Sequence, residues 1–322
     1  MKNKTETYYT ARYSAEEIAE FKRNKQKQTR KDIIVVTVII LGIVLYAIWL
    51  KSNVFNEQYA WSTELVQAIE EGDTEKAKLL LTDEDKDVNE PGGGLFPYSY
   101  FVEVSSTRPL VEACFRGNYE IVKLLIERGA DPTLDAGTPF DPLYNTLDEY
   151  NINTYRIVKL LLEHGADPDE IVEFGEEPLY LVAQMAQTDY IVDFEGTDTL
   201  SISERGENIV QVFKLIREYS KNKYPEPTEG PTLLMCAVKE ENIALVRYLL
   251  ENPSATFDVN EKDKYGRTAL FFLKWKSDSS PKIAEVLLSY GADKTIENMY
   301  GSTIYDYAVI NHDEGLMELL KP

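Results

Sequence analysis

Between Arg108 and Pro132 the chain sets two apolar stripes between glycines: Leu110, Val111, Ala113 and Cys114, then Gly117, then Ile121, Val122, Leu124, Leu125 and Ile126, then Gly129. Apolar residues three and four apart mark one face of a helix. Each stripe spans about two turns, so the spacing predicts two short antiparallel helices closed by a turn. Pro109 suits the first position of a helix, where no intrahelical acceptor waits for an N–H. Ala113 and Cys114 are small enough for a neighbouring helix to come close, and Gly117 and Gly129 reach backbone conformations that cost other residues energy. So short a pair cannot cover its own apolar faces and must stack on copies of itself.

Copies recur along the chain. One starts at Thr63 and carries Leu65, Ala68, Gly72, Ala77, Leu80 and Leu81 before closing on Asp87, Val88 and Asn89; its Glu70, Glu71, Asp73 and Glu75 suit the polar face of a starting cap. A third begins at Asp141 and keeps Pro142, Leu143, Val158, Leu161, Leu162, Gly165, Ala166 and Asp167. The fourth has Pro178, Leu179 and Ala183 in its first helix and Val210, Phe213, Leu215 and Ile216 in its second. The fifth runs through Gly230, Thr232, Leu234, Ala237, Val246, Leu249 and Leu250. The sixth ends in Leu287, Leu288, Gly291, Ala292 and Asp293, and the seventh runs from Gly301 and Thr303 to Leu319 and Leu320. Three interruptions stand out. Residues 91–106, PGGGLFPYSYFVEVSS, predict a protruding loop; a surplus falls near Glu149 to Asn153; and roughly twenty residues from Gln187 to Gly206 separate the helices of the fourth copy.

These units resemble the ankyrin repeat, whose T-P-L-H-x-A pattern returns roughly every 33 residues. Pro109, Leu110 and Ala113 match it, with Arg108 and Val111 in place of Thr and His. The resemblance covers about residues 60–322 in seven units. It implies an all-α solenoid of ankyrin-type helix pairs with short β-hairpin turns, used as a protein-binding surface.

Ile33 to Leu50 breaks the amphipathic pattern, with eighteen residues and no charge. As a helix it covers about 27 Å, close to the ~30 Å hydrocarbon core of a bilayer, and Tyr46 and Trp49 suit the aromatic belt at its far end. The expected organisation is therefore a basic cytoplasmic tail over residues 1–31, a single N-terminal transmembrane helix over 32–51, and repeats over 52–322. Ser14 and Glu17 have capping-box spacing within the tail. Lys22, Arg23, Lys25, Lys27, Arg30 and Lys31 precede the span and only Lys51 follows closely. The positive-inside rule then puts the N-terminus in the cytoplasm and the repeats on the extracytoplasmic side of the cell membrane. From residue 51 onward no Asn-x-Ser/Thr acceptor occurs, Asn252 being followed by Pro253, which leans towards a bacterial envelope.

Charge changes the picture of partners. The chain carries −21 in all; residues 1–32 hold nine basic and five acidic side chains, so the body is more acidic than the total. A surface of this sign disfavours nucleic acid and predicts a basic protein partner. Two histidines and two cysteines leave little for catalysis, and no phosphate loop, zinc or redox motif is present. Neither a cofactor nor a small-molecule substrate is expected. His164 sits at a helix C-terminus, where a cation is favoured. Cys114 and Cys236 lie three repeats apart, too far to be bridged. Asp83, Asp85 and Asp87 mimic the opening of a calcium loop, but Val88 holds its glycine position. The candidate contact residues are aromatic. Phe174, Tyr265 and Tyr300 each precede a hairpin glycine and would form a row, either anchoring a partner or sheltering their own hairpins; Phe96, Tyr98 and Tyr100, in the first insertion, either present themselves to a partner or fold back. Two further readings stay open, an immunity-type inhibitor of a basic toxin at the envelope and an accessory subunit of a membrane enzyme or channel.

Overall fold

The computed structural model describes residues 57–94, 105–134, 141–148, 150–171, 177–185, 200–221, 230–253 and 258–322. Outside them lie the Ile33–Leu50 stretch, the tail with Ser14 and Glu17, and Phe96, Tyr98, Tyr100 and Phe174. Among the described residues no helix is long and apolar enough to cross a membrane. The chain divides into two compact units, Met1–Ala60 and Trp61–Pro322. Only residues 57–60, the start of a helix, are described in the first unit.

Among the described residues the helices pair into seven layers: Glu57–Glu70 with Thr74–Leu80, Pro109–Phe115 with Tyr119–Glu127, Pro142–Leu147 with Thr154–Glu163, Pro178–Gln184 with Ile202–Tyr219, Leu233–Lys239 with Ile243–Glu251, a 3₁₀ turn Ala269–Phe272 with Ser280–Ser289, and Ile304–Ile310 with Glu314–Leu320. Second helices stack on second helices through all the layers, and first helices on first from the second layer to the sixth. The stripes read from the sequence face those contacts: Leu65, Leu125, Leu161, Phe213, Val246, Leu287 and Leu320 are fully buried. By the usual scale each such leucine contributes about 2–5 kcal/mol relative to alanine.

In layers one, two, five and seven the joint between the two helices has the same construction. One residue takes a left-handed conformation and the next caps the second helix. Gly72, Gly117, Glu241 and His312 have φ of 73°, 64°, 59° and 54°. The residues after them, Asp73, Asn118, Asn242 and Asp313, accept from the backbone N–H groups of Lys76, Ile121, Leu245 and Leu316. The reversal satisfies one orphan N–H at the helix start. In layer six Lys276, at φ 59°, makes the left-handed turn, and its N–H donates to Asp313 Oδ2 of the next layer at 2.6 Å.

Side chains also tie layers across the stack. Asn89 donates to the Gly129 carbonyl at 3.1 Å and accepts from Asp131 N–H at 2.8 Å; Asn260 repeats this with Gly291 and Asp293 at 3.0 and 2.7 Å. Arg128 donates to the carbonyls of Leu81, Asp83 and Lys86 at the end of the first layer.

The structure departs from the sequence reading at four places. The first helix begins at Glu57 rather than Thr63, because Trp61 is itself a core residue whose indole N–H donates to Leu80 O at 3.3 Å. The glycines of the first insertion do not belong to a free loop: Gly92–Gly94 pairs antiparallel with Ser105–Thr107. A Cβ on Gly92 would lie 2.4 Å from the Ser62 carbonyl carbon, so the strand lies against the first helix where only glycine fits. The long insertion of the fourth copy ends before Gly206, which is buried inside the helix Ile202–Tyr219. Ser201 and Glu204 start that helix with a reciprocal capping box, a signal legible in the sequence. Finally, the inter-repeat hairpins 263–267 and 298–302 are hydrogen-bonded tight turns without strands.

The left-handed joints give a stability prediction. Lys276→Gly and His312→Gly should each raise stability by about 1 kcal/mol, and Gly72→Ala, where a Cβ meets nothing within 4 Å, should lower it by a similar amount through backbone strain alone. Gly117→Ala should cost more, because its Cβ would strike the Asn151 side chain at 2.4 Å. Chemical denaturation followed by circular dichroism measures all four.

Candidate interaction surface

The exposed residues of interest sit on two adjacent hairpins built on one plan. In the first, Asp263 is buried; its Oδ1 accepts from the N–H groups of Tyr265 and Arg267, both at 2.9 Å, and its backbone N–H donates to Arg267 O at 3.0 Å. In the second, Asn298 accepts from Tyr300 and Ser302 N–H at 2.9 and 3.2 Å, and donates through Nδ2 to the Tyr307 hydroxyl at 3.1 Å. An Asp or Asn side chain that accepts from the residue two further on fixes a turn from within. Gly266 and Gly301, both at φ 73°, close the two turns.

The hairpins join through backbone: Met299 N–H donates to Tyr265 O at 2.9 Å. A Cβ on Gly266 would lie 3.0 Å from the Met299 nitrogen, so glycine is needed for close approach as well as for its φ. Tyr265 is 42% exposed, Met299 60% and Tyr300 73%. Two residues of the expected aromatic row, Tyr265 and Tyr300, are thus brought together. Phe174 and the trio Phe96, Tyr98 and Tyr100 lie outside the described residues. Met299 was missed by the sequence reading, which followed aromatics and glycines alone.

Cations of its own hairpin meet the Tyr265 ring. The Arg267 guanidinium carbon is 5.0 Å from its ring centroid and 4.6 Å from that of Phe272, and Lys264 Nζ is 5.5 Å from the Tyr265 ring. Arg267 in turn pairs with Asp263 Oδ2 through Nε at 2.8 Å and Nη2 at 2.7 Å. The cation therefore spans hairpin and stack, which holds it in place and favours cation–π contact.

The other chemically notable residues do not converge. Cys114 and Cys236 are buried and form no disulfide, and burial pushes the Cys114 thiol up to about 12. His164 Nδ1 faces the Leu160 carbonyl oxygen at 2.8 Å, at the helix end foreseen for it. Asp83 and Asp87 each accept from a backbone N–H two residues on. No group of three metal-ligating side chains occurs among the described residues. A recess between layers three and four, lined by Asp141, Tyr144, Asp167 and Glu170 among others, has room for about one water.

One buried charge lies at the junction of the first two layers. Glu112 is 4% exposed and accepts from Arg116 Nε at 2.7 Å, while Arg116 Nη2 lies 3.8 Å from Glu70. Desolvation raises the Glu112 pKa above 4.5, outweighing the pull of Arg116. A carboxyl with a raised folded pKa binds more protons folded than unfolded, so its contribution to stability is full below pH 4.5 and is lost as pH rises through the folded value. Glu112→Gln should flatten that part of the stability curve, measured as denaturation midpoints from pH 4 upward.

Residues 200–298 match the family model described as ankyrin repeats in three copies, and residues 108–136 match the ankyrin repeat model. Among solved structures the chain is similar to EF0377, an ankyrin repeat protein, at 20% identity over 80% of this chain and 96% of that one, with a TM-score of 0.36. It is also similar to an ankyrin repeat domain, ABAYE2397, from Acinetobacter baumannii AYE, at 18% identity over 66% and 95% of the two chains, with a TM-score of 0.47. No curated protein matches.

Proposed function

The chain is an ankyrin repeat protein, and from that premise we propose that it is a membrane-anchored, non-catalytic protein-binding module. Ankyrin repeats serve in general as interaction modules. The observation that carries the reading is the pair of hairpins: Tyr265, Met299 and Tyr300 project from backbone fixed by Asp263 and Asn298 and tied together by a hydrogen bond. Interface anchors have this character, large side chains on rigid support.

The uncharged run Ile33–Leu50 supports a membrane span, and the cations before it support a cytoplasmic N-terminus with the repeats on the extracytoplasmic side. Residues 57–230 hold thirty-six acidic and fourteen basic side chains. That imbalance supports a basic partner drawn in by long-range attraction.

Three outcomes check the parts separately. Protease treatment of intact cells carrying a tag at each end should remove the C-terminal tag and spare the N-terminal one; protection of both would place the repeats inside. Partners recovered by pull-down should be enriched in basic proteins and should elute as ionic strength rises. The double substitution Tyr265→Ala and Tyr300→Ala should cost about 2 kcal/mol or more of affinity for a protein partner, whatever its charge, read by titration, with the circular dichroism spectrum unchanged.

A further inference from the structure

Net charge hides a local reversal where layers five and six meet. The ion pairs of this region point their carboxylates inward and their cations outward. Lys239 is 58% exposed where its partner Glu240 is 15%. Lys274, 44% exposed, lies 4.0 Å from Glu240 and 3.7 Å from Glu241, which is 22% exposed. Arg267 is 37% exposed and Asp263 only 2%. In the first layer the order is opposite: in Lys76–Glu64 and Lys78–Glu120 the carboxylate is the more exposed member. Residues 262–276 contain five basic side chains and one acidic, Asp263, whose charge is already taken up by Arg267 and two backbone N–H groups.

The outward cations, the exposed Tyr265 and Tyr300 rings and the half-buried Phe272 ring form one tract. Arg267 bridges the Tyr265 and Phe272 rings. Phe272 ends the 3₁₀ turn, two residues before Lys274, which reaches across to Glu240 of layer five and so to Lys239. At the other end the backbone bond from Met299 to Tyr265 brings in Tyr300.

We propose that this tract, from Tyr300 and Tyr265 across Arg267 and Phe272 to Lys274 and Lys239, is a docking surface for an acidic protein segment carrying apolar side chains. The rings and Met299 take the apolar groups. The cations, already held by inward carboxylates, meet the segment's carboxylates without having to be ordered on binding. The inference rests on the reading of the hairpins as contact surface and narrows it: the acidic earlier layers attract a basic region, while this tract selects the opposite charge. One bipolar partner or two separate ones meet both conditions.

The test uses the full chain in detergent micelles and two short fluorescein-labelled peptides, one alternating glutamate with leucine and one alternating lysine with leucine, followed by fluorescence anisotropy. The glutamate peptide should bind, and Lys264→Glu combined with Lys274→Gln should weaken it about tenfold or more while leaving lysine-peptide binding equal or tighter. Tyr300→Ala should weaken the glutamate peptide alone. If the glutamate peptide fails to bind, or binds equally well to the charge variant, the proposal is wrong. If Tyr300→Ala instead weakens only the lysine peptide, the hairpins remain a contact surface but the assigned charge is overturned. If neither peptide responds to Tyr265→Ala with Tyr300→Ala, the hairpin reading itself falls. Circular dichroism of each variant separates loss of binding from loss of fold.

Discussion

A two-helix unit of some twenty residues cannot fold by itself, because it exposes an apolar face on either side. That constraint governs this protein. Every layer has to deliver its two helices at a fixed angle and height so that the next can close over it, and in layers one, two, five and seven the left-handed residue before the cap of the second helix sets that geometry. Gly72 and Gly117 reach the conformation freely, while Glu241, Lys276 and His312 are held there by the surrounding structure at a cost in backbone strain. The stability of such a stack is a sum of weak units and strong interfaces, so strain at three joints is tolerated as long as the leucine contacts between layers are intact.

The same constraint shapes the proposed binding surface. The stack fixes the backbone of one edge of each layer, and the turns there need only internal caps such as Asp263 and Asn298 to become rigid. Rigid turns can carry exposed Tyr and Met side chains without losing further freedom when a partner arrives. Asn89 and Asn260 add backbone-to-side-chain ties between layers at the ends of second helices, so stack and edge are fixed by different groups.

Electrostatics follow from packing rather than from composition. Glu112, Asp263, Glu240 and Glu241 are drawn inward by caps and ion pairs, and the cations bonded to the last three are left outside. A strongly acidic chain can in this way present a cationic tract, because a charge contributes to recognition in proportion to its exposure.

How much of this was legible beforehand divides by physical cause. Local signals were sufficient wherever a residue acts on its own backbone: Pro109, Pro142 and Pro178 at helix starts, Gly117 and Gly129 at turns, and the leucine stripes that define helix faces all lie where their chemistry puts them. Sequence spacing also put Tyr265 and Tyr300 at equivalent hairpin positions. It misjudged places where a distant surface decides. Trp61 extends the first helix because Leu80 offers it an acceptor, and Gly92 becomes a strand residue because Ser62 lies against it. The contact of Met299 with Tyr265, and the pairing of Lys274 with Glu240 and Glu241, join residues more than thirty positions apart in the chain. The sequence by itself determined the repeating unit, since helices, caps and turns are local free energies. Only the tertiary structure decided which charges and rings reach the surface, since burial belongs to the stacked layers and not to any one of them.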